Sequence, residues 1–566
     1  MANPQDETYD VLVVGSGAGG MASALTAVKH GLNVLVVEKQ PVFGGSTALS
    51  GGWLWVPCNP LAKRAGIADS LEDARRYVQI EAGNHFDGRR IDAFLKNGPD
   101  MVDFFERETS VRFTLGAAFP DYHAETPGAS LGGRPICAEP YDARELGERA
   151  AQLAPPIRGM TFVGLMFGSG PDMRHFLNAL RSFTSFWYTA KRLLRYGRDL
   201  VTHGRNMKLF NGAALVARLH KSAADVGIPV WLNSPVKKLI VENGRVLGAL
   251  VEREGKLVRI STKRGVVLAT GGFPNDFERR KQVFPHAPSE SEHITMAPEG
   301  NTGDGLRLVE EIGGKTDMTY PNTGSWVPAS MVPLSGGRST KIFHVMDRGK
   351  PGFIAVRSDG RRFTSEGASY HDFTATMVNN KAAGDRQDTF LVADHRAIRT
   401  YGLGFAKPFP VPLMPYLLSG YLTRGKTIEE LAKKTGIDAH ALADTISNFN
   451  KHARDGHDPE FHKGEKAYER FQGDPLHGPN PCVGPLDQPP YYAVKLVPGD
   501  IGTFGGIMTD EFARVIGSDN QAVLGLYAVG NDMASVFGGA YPGGGATLGP
   551  AMTFGYIAGR HLANAA

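Results

Sequence analysis

Cysteine is scarce in this chain: three residues in 566, Cys58, Cys137 and Cys482, far apart. No pair has zinc-ligand or redox spacing, and an iron–sulfur cluster needs more thiolates than three. No metal site is expected. Sparse cysteine fits a reducing compartment, so a cytoplasmic protein is expected. The opening MANPQDETYD is polar and acidic, unlike a secretory leader. No uninterrupted apolar run reaches the length of about 18 residues that a spanning helix requires. The net charge of +4 is too small to argue for a nucleic-acid partner.

Glycine, by contrast, is abundant, with 70 residues and no collagen-like or low-complexity period. Clustered glycine in a globular chain marks backbone that approaches something closely. The length allows about two to four domains. Residues 8–14 read as a buried strand, 20–30 as a helix and 33–38 as the next strand, a unit that opens a doubly wound α/β fold. Residues 211–228 look helical. The stretch 229–271 alternates like several strands, with turns at Asn243-Gly244 and Glu254-Gly255. A helix is expected over 304–314 and a helical pair around 427–453. Residues 522–562 return to strand, glycine loop and helix. The simplest architecture joins both chain ends, 1–325 and 495–566, in one Rossmann-like domain, with an inserted α+β domain over 326–494.

The segment 155–208 stands apart. It carries MTFVGLMF and SFTSFWYTAKRLL beside Arg174, Arg181, Lys191, Arg192, Arg195, Arg198 and Arg205. An apolar and basic helix of this kind can lie on an anionic membrane surface. The competing reading is a solvated insertion packed on the core or on another subunit.

GSGAGG places Gly15, Gly17 and Gly20 in the dinucleotide register, directly after a strand and before a helix. Gly15 permits the tight turn, Gly17 admits the pyrophosphate, and Gly20 lets helix and strand pack closely. The helix start then faces the phosphates. Glu38 ends the second strand, where it can accept a ribose hydroxyl. Further motifs follow in order: KQPVFGGSTALSGG after Glu38, ATGGF at 269–273, NTGDG at 301–305 and GLYAVGND at 525–532. Together these resemble the FAD enzymes of the fumarate reductase and succinate dehydrogenase flavoprotein superfamily.

The resemblance implies FAD held by Gly15, Gly17, Ala18 and Gly20, and by Glu38 and Lys39. The second glycine segment adds Gly45, Ser46, Thr47, Ser50, Gly51 and Gly52. Val236, Thr270, Gly271, Gly272 and Asp304 follow, then Gly530, Asn531 and Asp532. At the last loop, Gly545, Thr547 and Leu548 open a helix whose positive end suits the pyrimidine side of a reduced flavin. Succinate dehydrogenases attach flavin to a His before a Thr. Here the pair is Ser46-Thr47, so the expected FAD is non-covalent.

The dicarboxylate enzymes of that superfamily clamp their substrates with His and Arg. Gly502 stands where they have the His, and GGAYPGGG at 538–545 replaces the Arg-bearing loop. The pieces PDYHAETPGASLGGR, GRRFTSEGASY, PPYYAVKLVPGDIGTFGG and AYPGGGATLGPAMTFGY resemble instead the 3-ketosteroid Δ1-dehydrogenases. Gly544, where many members have Pro, departs from that pattern, as does the long 155–208 insertion. The resemblance implies a ketone gripped by the Tyr541 hydroxyl and the Gly545 N–H. Tyr370 would take the C2 proton, helped by a hydrogen bond from Tyr122, and the C1 hydride would pass to flavin N5. Glu366, a proton-relay acid in fumarate reductases, is read as structural.

No second dinucleotide motif is present, so a quinone or an artificial acceptor is the expected oxidant. One alternative is a 3-ketosteroid 4(5α)-dehydrogenase, but those place a Ser shortly after the loop Tyr, where this chain has Pro542 and Gly543. Another is a fumarate reductase-like flavoprotein acting on a different unsaturated substrate. A third is a non-catalytic FAD-binding scaffold.

Overall fold

The computed structural model describes residues 5–564, apart from 169–171, 173–174, 177–178, 180–181, 285, 288, 290–291 and 385–386. Arg174 and Arg181 of the insertion lie outside the described residues.

The chain opens with β1 (Gln5–Val14), α1 (Ala18–Lys29) and β2 (Val34–Val37). Val11–Val14 and Val34–Val37 pair in parallel and are buried, as expected of a sheet covered on both faces. Helix α2 (Leu71–Ala82) follows, and α3 (Phe183–His203) is the long helix of the insertion. Next come α4 (Asn211–Asp225) and the strands β3 (Val236–Glu242), β4 (Arg245–Arg253) and β5 (Lys256–Leu268). These three strands form an antiparallel meander, turning at the two dipeptides expected from the sequence. β5 is long enough to pair with the meander at its start and with β1, in parallel, along its whole length. Helix α5 (Asp304–Glu310) ends four residues short of the expected Gly314.

A second sheet holds β6 (Gly324–Pro333), β7 (Ser339–Phe343), β8 (Phe353–Arg357), β9 (Thr389–Ala393) and β10 (Tyr491–Thr503), in the order β7-β6-β10-β9-β8. Between β8 and β9 lies α6 (Tyr370–Ala382), which buries Phe373 and Met377. The expected junctions at 325/326 and 494/495 fall inside β6 and β10. Helix α7 (Ala467–Gln472) precedes β10. The chain then returns to the first sheet with β11 (Ala522–Ala528), paired in parallel with β5, and closes with α8 (Leu548–Asn564).

The insertion helix α3 is inverted relative to an ordinary surface helix. Its inward residues are polar: Ser185, Arg192 and Asp199 are buried. Its outward residues are apolar: Phe183 is 78% exposed, Leu194 74% and Val201 87%. No helix among the described residues is long and apolar enough to cross a membrane.

Behind the first glycine loop, α4 presents His220. Its ring stacks on Phe43 with centroids 3.9 Å apart, and its Nε2 lies 3.1 Å from the Ser16 carbonyl. That bond requires the proton on Nε2. Burial pushes its pKa down to about 4, so the folded chain refuses a proton that the unfolded chain accepts. Stability is therefore complete above about pH 6.5 and falls as the pH drops toward 4. The shift corresponds to roughly 3 kcal/mol at full loss. The thermal midpoint of His220→Gln should accordingly decline less between pH 7 and pH 4.5 than that of the unmodified chain. Equal slopes would remove His220 as a source of acid sensitivity.

Candidate active site

A cavity of about 1230 Å³ runs between the two sheets. That exceeds the roughly 300–1,000 Å³ of a single small-molecule pocket and leaves room for a dinucleotide and a second molecule. At one end the first glycine loop forms the wall. Gly15 has φ +113°, and a Cβ there would sit 2.1 Å from the Ala269 carbonyl oxygen of the turn after β5. A Cβ on Gly20 would meet the Gly15 oxygen at 2.2 Å. Any side chain would thus drive α1 away from the sheet. A Cβ on Gly17 would make only ordinary contacts, with the Thr47 hydroxyl at 3.4 Å and the Gly44 oxygen at 3.8 Å; that hydroxyl also accepts from Ala18 N at 3.0 Å. Glu38 accepts from the Ser16 hydroxyl at 2.6 Å and from Gln40 N at 3.0 Å. Lys39 donates to Asp304 at 2.6 Å.

Twenty of the sequence-expected cofactor positions line this cavity. Gly20, Gly272 and Asp532 lie outside that lining. Gly20 packs behind the loop. Asp532 is fully buried and accepts from the Thr270 hydroxyl at 2.8 Å and Gly272 N at 2.9 Å. It fixes the turn at 270–272 from behind.

At the start of α8, the backbone N–H groups of Gly545, Thr547 and Leu548 make no bond to described residues. Unpaired N–H groups and the helix dipole together attract negative charge. Gly545 has φ +100°, and a Cβ there would lie 2.5 Å from Trp53. Its carbonyl is held by Trp55 N at 3.1 Å.

Beside this helix start, three tyrosines from distant segments meet. Tyr122 follows Asp121, which accepts from Trp55 Nε1 at 2.7 Å and from Arg134 at 2.6 Å. Tyr122 N donates to the Pro542 carbonyl at 3.0 Å, tying it to the Tyr541 loop. Tyr370 opens α6, whose N-cap Ser369 accepts from Asp372 N at 3.1 Å. Ring centroids are 5.6 Å apart for Tyr122–Tyr370, 5.4 Å for Tyr370–Tyr541 and 5.6 Å for Tyr122–Tyr541. Burial is the main influence on all three phenols and pushes Tyr122 and Tyr370 well above 10. A hydrogen bond from Tyr122 pulls Tyr370 partly back.

A fourth tyrosine was not foreseen. Tyr468 of α7 lines the cavity with its ring 4.3 Å from that of Tyr122. Phe471, one turn on, stacks on Phe119 at 4.7 Å, and Trp53 meets Phe119 edge-on at 5.1 Å. No motif surrounds Tyr468 or Phe471 in the sequence.

Among the described residues, no arginine and no histidine lines the cavity. At Gly502, where φ is +143°, a Cβ would lie 2.2 Å from the Asn531 amide nitrogen, so a His there would displace that side chain and strain the backbone. Glu366 is fully buried, bonded twice to Arg362 at 2.8 Å and to Ala355 N at 2.9 Å. It lies outside the cavity lining.

The family model described as FAD binding domain matches residues 10–548. The chain belongs to this family. It is 42% identical over 558 residues to 4-oxocyclohex-2-ene-1-carboxylate 5-dehydrogenase of Sinomonas cyclohexanicum, covering 98% of this chain and 94% of that one. It is 38% identical to 3-oxosteroid 1-dehydrogenase of Mycobacterium tuberculosis, covering 99% of both. The crystal structure of 3-ketosteroid Δ1-dehydrogenase from Sterolibacterium denitrificans, in complex with 1,4-androstadiene-3,17-dione, superimposes with a TM-score of 0.90 at 36% identity. The match covers 99% of this chain and 100% of that one.

The protein is thus an FAD-dependent oxidoreductase of the same flavoprotein family as the 3-oxosteroid 1-dehydrogenases. The residues present fit FAD: a glycine loop open at Gly17, an acid at Glu38, and free N–H groups at α8. Ser46, whose hydroxyl accepts from Asn301 at 2.9 Å, offers no nitrogen for a histidyl link. Acid precipitation of the purified protein should therefore release its yellow chromophore entirely into the supernatant. Colour retained in the pellet would contradict non-covalent binding.

Proposed function

We propose that this chain desaturates the C1–C2 bond of 3-ketosteroids, converting 3-oxo-4-enes into 3-oxo-1,4-dienes. The observation that carries this reading is the tyrosine cluster beside the Gly545 N–H, in a cavity that among the described residues is lined by no arginine or histidine. A C2 proton becomes acidic only if the ketone oxygen is stabilised as charge develops. The Tyr541 hydroxyl and the Gly545 N–H supply the two donors. Tyr370 takes the proton, and Tyr122 donates to its oxygen. Bound FAD supplies the hydride acceptor, and a quinone or artificial acceptor completes turnover. Trp53, Phe119 and Phe471 form an apolar wall suited to the fused rings.

A second reading has specific support. The Sinomonas relative's name also describes desaturation beside a ring ketone, on a carboxylate. Lys208 lines the cavity with its ammonium 5.4 Å from the Phe210 ring, and the charges of Asp172 and Asp142 act on it. It could meet such a carboxylate. Comparing kcat/KM for 4-androstene-3,17-dione and 4-oxocyclohex-2-ene-1-carboxylate separates the two. A steroid preference of about a hundredfold or more, roughly the 3 kcal/mol a large apolar contact can supply, is expected. The opposite preference would replace the steroid with the carboxylate.

The roles of the tyrosines are tested by substitution. Tyr370→Phe should keep FAD and steroid binding but lose turnover by about a thousandfold or more. Tyr541→Phe should cost about 2.7–4 kcal/mol of barrier, as for other oxyanion donors. Because burial holds Tyr370 mostly protonated at neutral pH, kcat/KM should climb with pH toward a plateau. A flat profile upward from pH 7 would remove Tyr370 as the base.

We also propose that α3 rests on an anionic membrane surface. Its outward Phe183, Trp187, Leu194 and Val201 stand beside exposed Lys191, Arg195 and Arg198, and its Tyr188 lines the cavity. Co-sedimentation with anionic vesicles should weaken in Leu194→Glu/Val201→Glu at unchanged FAD content. Unchanged binding would reject this contact.

A further inference from the structure

Tyr122 and Tyr370 come from different segments, and no strand or helix holds them together. The residues beside them do. His123 lies between two carboxylates: its Nδ1 is hydrogen-bonded to Glu81 of α2, and its Nε2 to Asp372 of α6 at 2.7 Å. Glu81 is itself held by the Thr126 hydroxyl at 2.9 Å. Asp372 is held at 2.7 Å by the hydroxyl of Ser369, the residue that caps the helix Tyr370 opens. One imidazole, adjacent in sequence to Tyr122, is thereby fixed to a carboxylate two residues after Tyr370.

The groups around His123 are accounted for on each side. From α2 come Glu81 and the hydroxyl of Tyr77, which His123 N approaches at 3.3 Å. From α6 come Asp372 and His371. Burial pushes His371 down to about 4, so it carries no charge at neutral pH. Arg348, after β7, acts on Asp372 from the far side. Burial opposes charge on His123, yet the two carboxylates raise it to about 10, and it remains an imidazolium through the neutral range. Phenol hydrogen bonds weaken steeply with distance and angle, so a small drift of the Tyr122 loop would uncouple it from Tyr370.

We propose that His123 is a positioning residue: bridged between Glu81 and Asp372, it holds the Tyr122 hydroxyl in place to donate to Tyr370. This rests on the reading of Tyr370 as the base. Tyr122 lowers the pH at which Tyr370 loses its proton. Without the bridge, therefore, the rising limb of kcat/KM against pH moves upward while its alkaline plateau stays.

The test compares pH profiles of FAD-replete holoenzyme for the unmodified chain, His123→Phe, His123→Gln and Asp372→Asn, with 4-androstene-3,17-dione as substrate. His123→Phe is expected to shift the rising limb up by about one unit, a loss of about tenfold at pH 7. His123→Gln, which keeps a hydrogen bond to one carboxylate, should recover part of that shift. Asp372→Asn should shift in the same direction and carries the test if His123→Phe does not fold. Superimposed profiles overturn the proposal, and so does an equal loss at every pH, the mark of a merely structural role. Tyr370→Phe, assayed alongside, distinguishes the two failures. If it is inactive and the profiles do not move, only the bridge fails; if it is active, the base assignment fails.

Discussion

A phenol can serve as donor or base only if its oxygen is kept away from water yet paired with another polar group. The site depends on this constraint. Tyr122, Tyr370 and Tyr541 are each less than a tenth exposed, and they find their partners chiefly in one another. Burial alone would make them inert by disfavouring phenolate. Their mutual hydrogen bonds and the N–H groups of α8 supply the polarity that burial removes. The aromatic wall of Trp53, Phe119 and Phe471 excludes water and also shapes the space for an apolar ring system.

The surrounding fold serves the same end. Helix α8 is held close to α1 through Gly555 and Gly559, where a Cβ would meet the Gly19 oxygen at 2.6 Å and Thr26 at 2.7 Å, so its positive end is aimed with little freedom. The Asp121–Arg134 pair, fully buried and joined to Trp55, fixes the loop that ends in Tyr122. The second sheet delivers α6 and α7, and with them Tyr370 and Tyr468. The chain thus assembles its site from both ends and the middle.

Much of the cofactor end was legible in the sequence because local geometry dictates it. A strand, three spaced glycines, a helix and an acid form one compact unit. The meander over 236–268 was equally readable from its two turn dipeptides. Tyr122, Tyr370 and Tyr541 were readable only through resemblance, since nothing near them signals chemistry. Tyr468, Phe471 and His123 were missed because their importance arises from contacts across hundreds of residues. The segment 183–203 read as apolar and basic, but its inverted facing could not be read. The buried side takes Arg192 and Asp199 inward, and only tertiary partners such as Met166 O and Arg144 decide that.

The central claim is that this cavity removes two hydrogens from a ring beside its ketone. Anaerobic mixing of the holoenzyme with 4-androstene-3,17-dione tests it most directly. The account predicts bleaching of the yellow absorbance in step with the appearance of a product lighter by two hydrogens. Persistent colour with steroid bound and unchanged in mass would contradict it.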